Sequence, residues 1–182
     1  MAIGLATPPA ASPAPPRSWL RALAPLAFVT APVVALDQWS KLYIRSHFEL
    51  YHTRPLIPHW LDLTYTLNPG AAFSLFATMS PDFRHFFFVG LSIVAAIVLI
   101  VLMFRRATTT SYAIAFALIL GGTIGNLIDR MARGLVIDFI WFHHASFSYP
   151  VFNLADSAIT VGVALILILT WLEPSADPPS SQ

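Results

Sequence analysis

The sequence predicts an α-helical membrane protein with four transmembrane helices, and three observations carry that expectation. Of its 182 residues, 57% are hydrophobic and only 10% are charged, whereas roughly a quarter of a soluble domain is charged. Apolar runs recur at close to the about 20 residues needed to cross a bilayer. The acids and asparagines that interrupt this apolar chain gather at the ends of the runs. The net charge of +1 offers no basic field for nucleic acid. With no cysteine in the chain, disulfides, thiolate chemistry, cysteine-ligated metals and a cysteine-borne lipid anchor are excluded.

Residues 1–18, "MAIGLATPPAASPAPPRS", are rich in Ala and Pro and read as a disordered tail. The first run covers residues 19–36 and grades into "DQWSKLYI". It contains Arg21, Pro25 and Pro32. An arginine near a helix end can snorkel to the surface, and prolines are tolerated in membrane helices. The rival reading is a cleaved signal peptide with Val33-Val34-Ala35 as its small-residue site.

Residues 45–82 are mixed, and within them "LDLTYTL" alternates apolar and polar side chains as a short strand does. The second span, residues 86–104, is the clearest. "RRATTT" then makes a tight basic turn into the third span, residues 111–128, whose glycines suit close helix packing. Residues 129–150 read as an aromatic loop lying at the interface. The fourth span is residues 151–172, and residues 173–182 form a polar tail. A domain of residues 19–172 therefore lies between two tails. Four spans put both termini on one side and the segments 45–82 and 129–150 on the other. Counting Lys and Arg does not orient the chain. Arg17, Arg21, Arg105 and Arg106 flank the termini side, and Lys41, Arg45, Arg54, Arg84, Arg130 and Arg133 the other. The Arg105-Arg106 turn is taken as cytoplasmic.

Four acids lie near span ends. Asp37 has Lys41, and Asp129 has Arg133, four residues later, the favourable acid-first helical spacing. Both pairs read as structural, leaving Arg130 pointing elsewhere and free for a site. Asp138, in "LVIDFIWF", and Asp156, in "NLADSAIT", have no base at such spacing. Span counting brings both to the same membrane face. Two carboxylates in contact cannot both ionise cheaply, so one keeps a proton. That is the requirement for an aspartyl hydrolase, in which one acid takes a proton from water and the other donates to the substrate. Buried structural acids are the competing reading. The six histidines lack metal-ligand spacing, and Lys41, the sole lysine, is an unpromising partner for a serine nucleophile.

The motifs "LDQWSK", "NPGAAFSLF", "GGTIGNLIDRMARGLVIDF" and "FNLADSAITVG" occur in the order seen in the lipoprotein signal peptidase (signal peptidase II) family, which the chain resembles from about residue 36 to 172. The resemblance implies a four-helix aspartyl peptidase of the bacterial inner membrane, with cytoplasmic termini and a site at the periplasmic face. It implies cleavage of prolipoproteins just before a diacylglyceryl-modified cysteine, with membrane phospholipids as surroundings and no cofactor. It implies Asp138 and Asp156 as the catalytic pair and Asp37, Asn68, Asn126, Arg130 and Asn153 as supporting or substrate-binding residues. It also implies a small periplasmic β-cradle, which residues 45–75 fit. A proton-coupled transporter and a non-catalytic scaffold are the rival classes. A transporter would hold its acids near the midplane, and a scaffold needs no unpaired acids on one face.

Overall fold

The computed structural model describes residues 23–70, 79–105 and 109–173. The Ala/Pro tail, the residues beyond 173, Arg106 in the basic turn and most of "NPGAAFSLF" lie outside the described residues.

Helix begins by residue 23. It passes through a π-helical turn, Leu26–Thr30, and continues as α1, Ala31–His47. The turn has an identifiable cause. Pro32 has no N–H to give to Phe28, and its ring would press on that carbonyl in an α-helix. The Ala31 N–H bonds to the Leu26 carbonyl five residues back, which is the π register. The helix runs well past residue 36, where the apolar run ends. Its later turns bury Asp37, Ser40, Lys41 and Ile44 while Trp39, Leu42 and Tyr43 face outward. A polar inside and an apolar outside is what a helix ending in lipid requires.

Helix α2 is Pro81–Phe104, capped by Ser80, whose hydroxyl accepts the Phe83 N–H at 3.2 Å. Helix α3 is Thr110–Arg133, stopped by Gly134 in the left-handed conformation. Helix α4 is Leu154–Leu172. Among the described residues these three helices are long and apolar enough to cross a membrane. Each differs from its expected span because polar caps extend the helix beyond the apolar run or trim it. In particular, Asp129 and Arg130 lie inside the last turn of α3 rather than in a following loop.

Small residues hold α3 at the centre. A Cβ on Gly122 would collide with the Ala155 carbonyl of α4, and one on Gly125 would fall on the Asp37 carboxylate of α1. Three helices therefore close tightly around the lower half of the site. The outward faces carry large apolar side chains such as Phe86, Leu167 and Trp171.

A four-stranded antiparallel sheet caps one end of the bundle: β1 Thr53–Ile57, β2 Leu61–Asn68, β3 Val136–His144 and β4 Phe147–Ser148, in that order. The expected strand "LDLTYTL" is β2. The expected interfacial loop at 129–150 requires correction, because half of it is strand. Its run "VIDFIWFHH" is β-branched and aromatic, and it pairs with β2. The sheet thus comes from two distant segments rather than from residues 45–75 alone. It rests on the bundle through Ile44, Phe48, Ile137 and Phe139. Ile137 and Phe139 turn to that cluster, so Asp138 between them turns to the opposite face.

Candidate active site

Asp156 is the third residue of α4, and Asn153 is its N-cap. The Asn153 side-chain oxygen accepts the Asp156 N–H at 2.9 Å, and an Asp156 oxygen accepts the Asn153 N–H at 3.2 Å. This reciprocal box satisfies two orphan amides of the helix end. It also fixes the carboxylate, whose other oxygen accepts the Asn126 amide at 2.8 Å.

Asp138 is the third residue of β3 and is 2% exposed. One of its oxygens accepts the Asn153 amide at 2.6 Å, the other the Asn68 amide at 2.9 Å. Asn68 is itself held by an Asx turn, its carbonyl oxygen accepting the Gly70 N–H at 2.8 Å. That bond leaves only the amide nitrogen to face Asp138.

The two acids expected to meet are thus joined through one residue. Asn153 donates its side-chain amide to Asp138 and its backbone N–H to Asp156. All four carboxylate oxygens receive one N–H each, and every donor is neutral. Burial, and then the nearby Asp156 charge, raise the Asp138 carboxyl to about 7 against the pull of Asn68, Asn153 and Lys41. Asp138 therefore holds its proton to a much higher pH than an ordinary carboxyl does.

Both acids line a cavity of about 510 Å³ that is walled by the end of β2 at Asn68, by Phe88 and Arg130, and by Tyr149 and Phe152. A second, mainly apolar groove of about 380 Å³ opens on the other side of Asp156, along Phe142, Ser157 and Val161. Arg130 enters the cavity with its guanidinium over the Phe88 ring at 5.4 Å and one nitrogen 3.5 Å from the Ser92 hydroxyl. Its neighbour Arg133 points away and bonds Asp129 at 2.5 Å, the pairing that their helical spacing suggests.

Asp37 does not line the cavity. It is fully buried and accepts Lys41 at 2.7 Å, Gln38 at 3.1 Å and the backbone N–H of Ala155 at 2.9 Å. It therefore supports the site from beneath, tying α1 to the first turn of α4. The sequence reading paired Lys41 with Asp37 but missed its other partners, Asn126 at 2.9 Å and Asp129 at 3.2 Å. It also missed Thr66, whose hydroxyl donates to the Asp138 carbonyl at 3.2 Å. No local spacing could reveal contacts 70 to 90 positions apart. The one usable hint was that a lone lysine stood in an apolar chain.

The histidines of β3 face opposite ways, as adjacent strand residues must. His143 lies 3.0 Å from Asp62, and His144 stacks on Trp60. Among the described residues, no three His, Asp or Glu side chains gather as a metal site.

Comparison with known proteins identifies the family. The family model described as signal peptidase (SPase) II matches residues 29–172. A lipoprotein signal peptidase of Yersinia enterocolitica is 45% identical over 144 residues, covering 79% of this chain and 84% of that protein. One from Desulforapulum autotrophicum is 40% identical over 149 residues, 81% and 91% of the two chains. A bacterial membrane enzyme solved by the in meso method at 2.3 Å resolution superposes with a TM-score of 0.72 and 31% identity, over 91% of this chain and 93% of that one. The matched region contains every residue of the two-aspartate site, and the chain belongs to the signal peptidase II family of membrane-embedded peptidases.

Proposed function

We propose that this chain removes the signal peptide from prolipoproteins, cleaving before a diacylglyceryl-modified cysteine with water activated between Asp138 and Asp156. The observation that carries the reading is Asn153, one residue that donates its side-chain amide to Asp138 and its backbone N–H to Asp156, two carboxylates whose hydrogen-bond partners among the described residues are neutral amides. Because Asp138 is the acid raised to about 7, it holds the shared proton and Asp156 is the base.

Water attacks the scissile carbonyl carbon and gives its proton to Asp156. Asp138 donates its own proton to the carbonyl oxygen, so the tetrahedral intermediate is neutral. As the C–N bond breaks, Asp156 returns its proton to the leaving amine and Asp138 recovers one from the gem-diol. No cofactor enters this sequence. Arg130, without an ion pair among the described residues and facing the cavity, holds a substrate carbonyl by a charge-assisted hydrogen bond.

Lipid chains on the cysteine remain among membrane phospholipids and supply much of the binding, so a shallow cavity suffices. The chain crosses the bacterial inner membrane four times. The continuous helix from residue 23 to His47 supports the additional span. Both termini are cytoplasmic, and the sheet forms the periplasmic cradle over the site. Purified protein in detergent is expected to cleave a lipidated prolipoprotein and to leave the unlipidated form largely intact. A transporter or a scaffold predicts no product from either substrate, and equal cleavage of both would remove the role of the lipid.

A further inference from the structure

Beneath the cavity lies a group that touches neither carboxylate of the pair but is bonded to the residue that holds one of them. The Lys41 ammonium is 1% exposed. It donates hydrogen bonds to Asp37 at 2.7 Å and Asn126 at 2.9 Å and forms an ion pair with Asp129 at 3.2 Å. Asn126 is the only neutral member of that set, and its other end donates to Asp156 at 2.8 Å.

An amide can turn over and exchange its donor and acceptor ends. Turned over, Asn126 would set its carbonyl against the Asp156 carboxylate and its NH₂ against an ammonium. Lys41 makes that arrangement unfavourable at one end as Asp156 does at the other, and the Asn153 amide, 3.2 Å from the Asn126 carbonyl, assists Lys41. A cation on the carbonyl side also polarises the amide, which strengthens the N–H on the opposite side.

We propose that Lys41 is a positioning residue for the aspartate pair: its ammonium locks and polarises Asn126 so that Asn126 donates to Asp156, holding that carboxylate as the base. The proposal rests on the peptidase reading above. A lysine suits the place because a compact ammonium offers three separately directed donors, whereas a planar guanidinium does not. The charged groups around this path are Asp37 and Lys41 on α1, Asp129, Arg130 and Arg133 on α3, Asp138 on β3 and Asp156 on α4.

The test is the pH dependence of kcat/KM for lipidated prolipoprotein cleavage in detergent. Lys41→Met deletes the donor. The double variant Lys41→Met/Asp129→Asn deletes it while removing one anion with the cation, which keeps the buried charge balanced. Asn126→Ala leaves the ion cluster whole and cuts the path one step later. Each is expected to move the acid limb of the profile to higher pH by about half a unit or more, because a carboxylate that loses a donor holds its proton more tightly. Lys41→Met is expected to lower kcat roughly tenfold with little change in KM. Adding Asn126→Ala to it should cost little more, as for residues acting in one path. A merely structural lysine would lower yield or rate and leave the limb in place. A wild-type limb in any folded variant therefore overturns the proposal. Failure of the wild-type protein to cleave overturns the peptidase reading and the proposal with it, so the two failures are distinguishable.

Discussion

Two pairs of aspartates lie at the same end of this bundle and differ in what surrounds them. Asp37 and Asp129 are fully buried and bonded to cations, Lys41 reaching both and Arg133 bonding Asp129. Among the described residues the Asp138 and Asp156 carboxylates are bonded to amides. A nearby cation favours the ionised carboxylate, while an amide orients it without cancelling its charge. The first pair is held by those cations and serves as cross-links between α1, α3, α4 and β3. In the second pair Asp138 is raised to about 7 by burial and by the nearby Asp156 charge, which suits it to the acid–base role proposed for the pair. In the proposed reading, the same residue type is structural or reactive according to whether its donors bring charge.

That contrast is most severely tested by removing ionisation from the second pair. Asp138→Asn and Asp156→Asn keep size and hydrogen bonding but can neither take nor lend the proton. Each is expected to lower cleavage by roughly 10³-fold or more while remaining folded and membrane-inserted. The double variant should be little worse than either single, since residues acting as a unit are not additive. Initial rates beside melting temperatures check this. Substantial activity in a folded single variant would strip that residue of its role and return Asp129 to consideration.

A smaller effect separates the adjacent arginines. Arg130→Ala is expected to lower kcat/KM by roughly 10- to 100-fold with little loss of stability, as for a removed charge-assisted contact to substrate. Arg133→Ala leaves Asp129 with Lys41 as its remaining cation, so its cost should fall mainly on Tm, because a buried charge has lost a partner. Comparing kcat/KM and Tm for both variants at equal expression decides the matter. Equal losses of turnover would show that the cation-bonded cluster is not separable from the site.

The smallest effect is on stability and sharpens the comparison from the folding side. Asp138 binds its proton more tightly folded than unfolded. Its contribution to stability is therefore complete below about pH 4, the ordinary carboxylate value, and is lost as pH rises through about 7. Asp138→Asn cannot ionise and escapes that loss. Its Tm should exceed that of the wild type by a few degrees at pH 8, with the gap closing toward pH 5. A gap independent of pH would mean that Asp138 carries no retained proton.

The sequence by itself determined a great deal here. Long apolar runs located α2, α3 and α4, because the backbone of a chain in lipid must satisfy its hydrogen bonds within each segment. Alternation located β2. The i,i+4 spacings identified Asp37–Lys41 and Asp129–Arg133, because helical neighbours are local. The same rule singled out Asp138 and Asp156 by their lack of such partners. Other features were decided only by the tertiary structure. β3 was hidden because an aromatic run reads alike as a strand and as an interfacial loop, and only pairing with β2 distinguishes them. α1 continued past its apolar run because its buried Asp37 and Lys41 find partners on α3, which local hydropathy cannot register. Asn153 was visible as a cap, and Lys41 as half of a pair. That one bridges the two acids, and that the other reaches Asn126 85 positions away, follows from where three helices and a sheet converge. Hydrogen bonds between distant segments leave no periodic trace in a single chain.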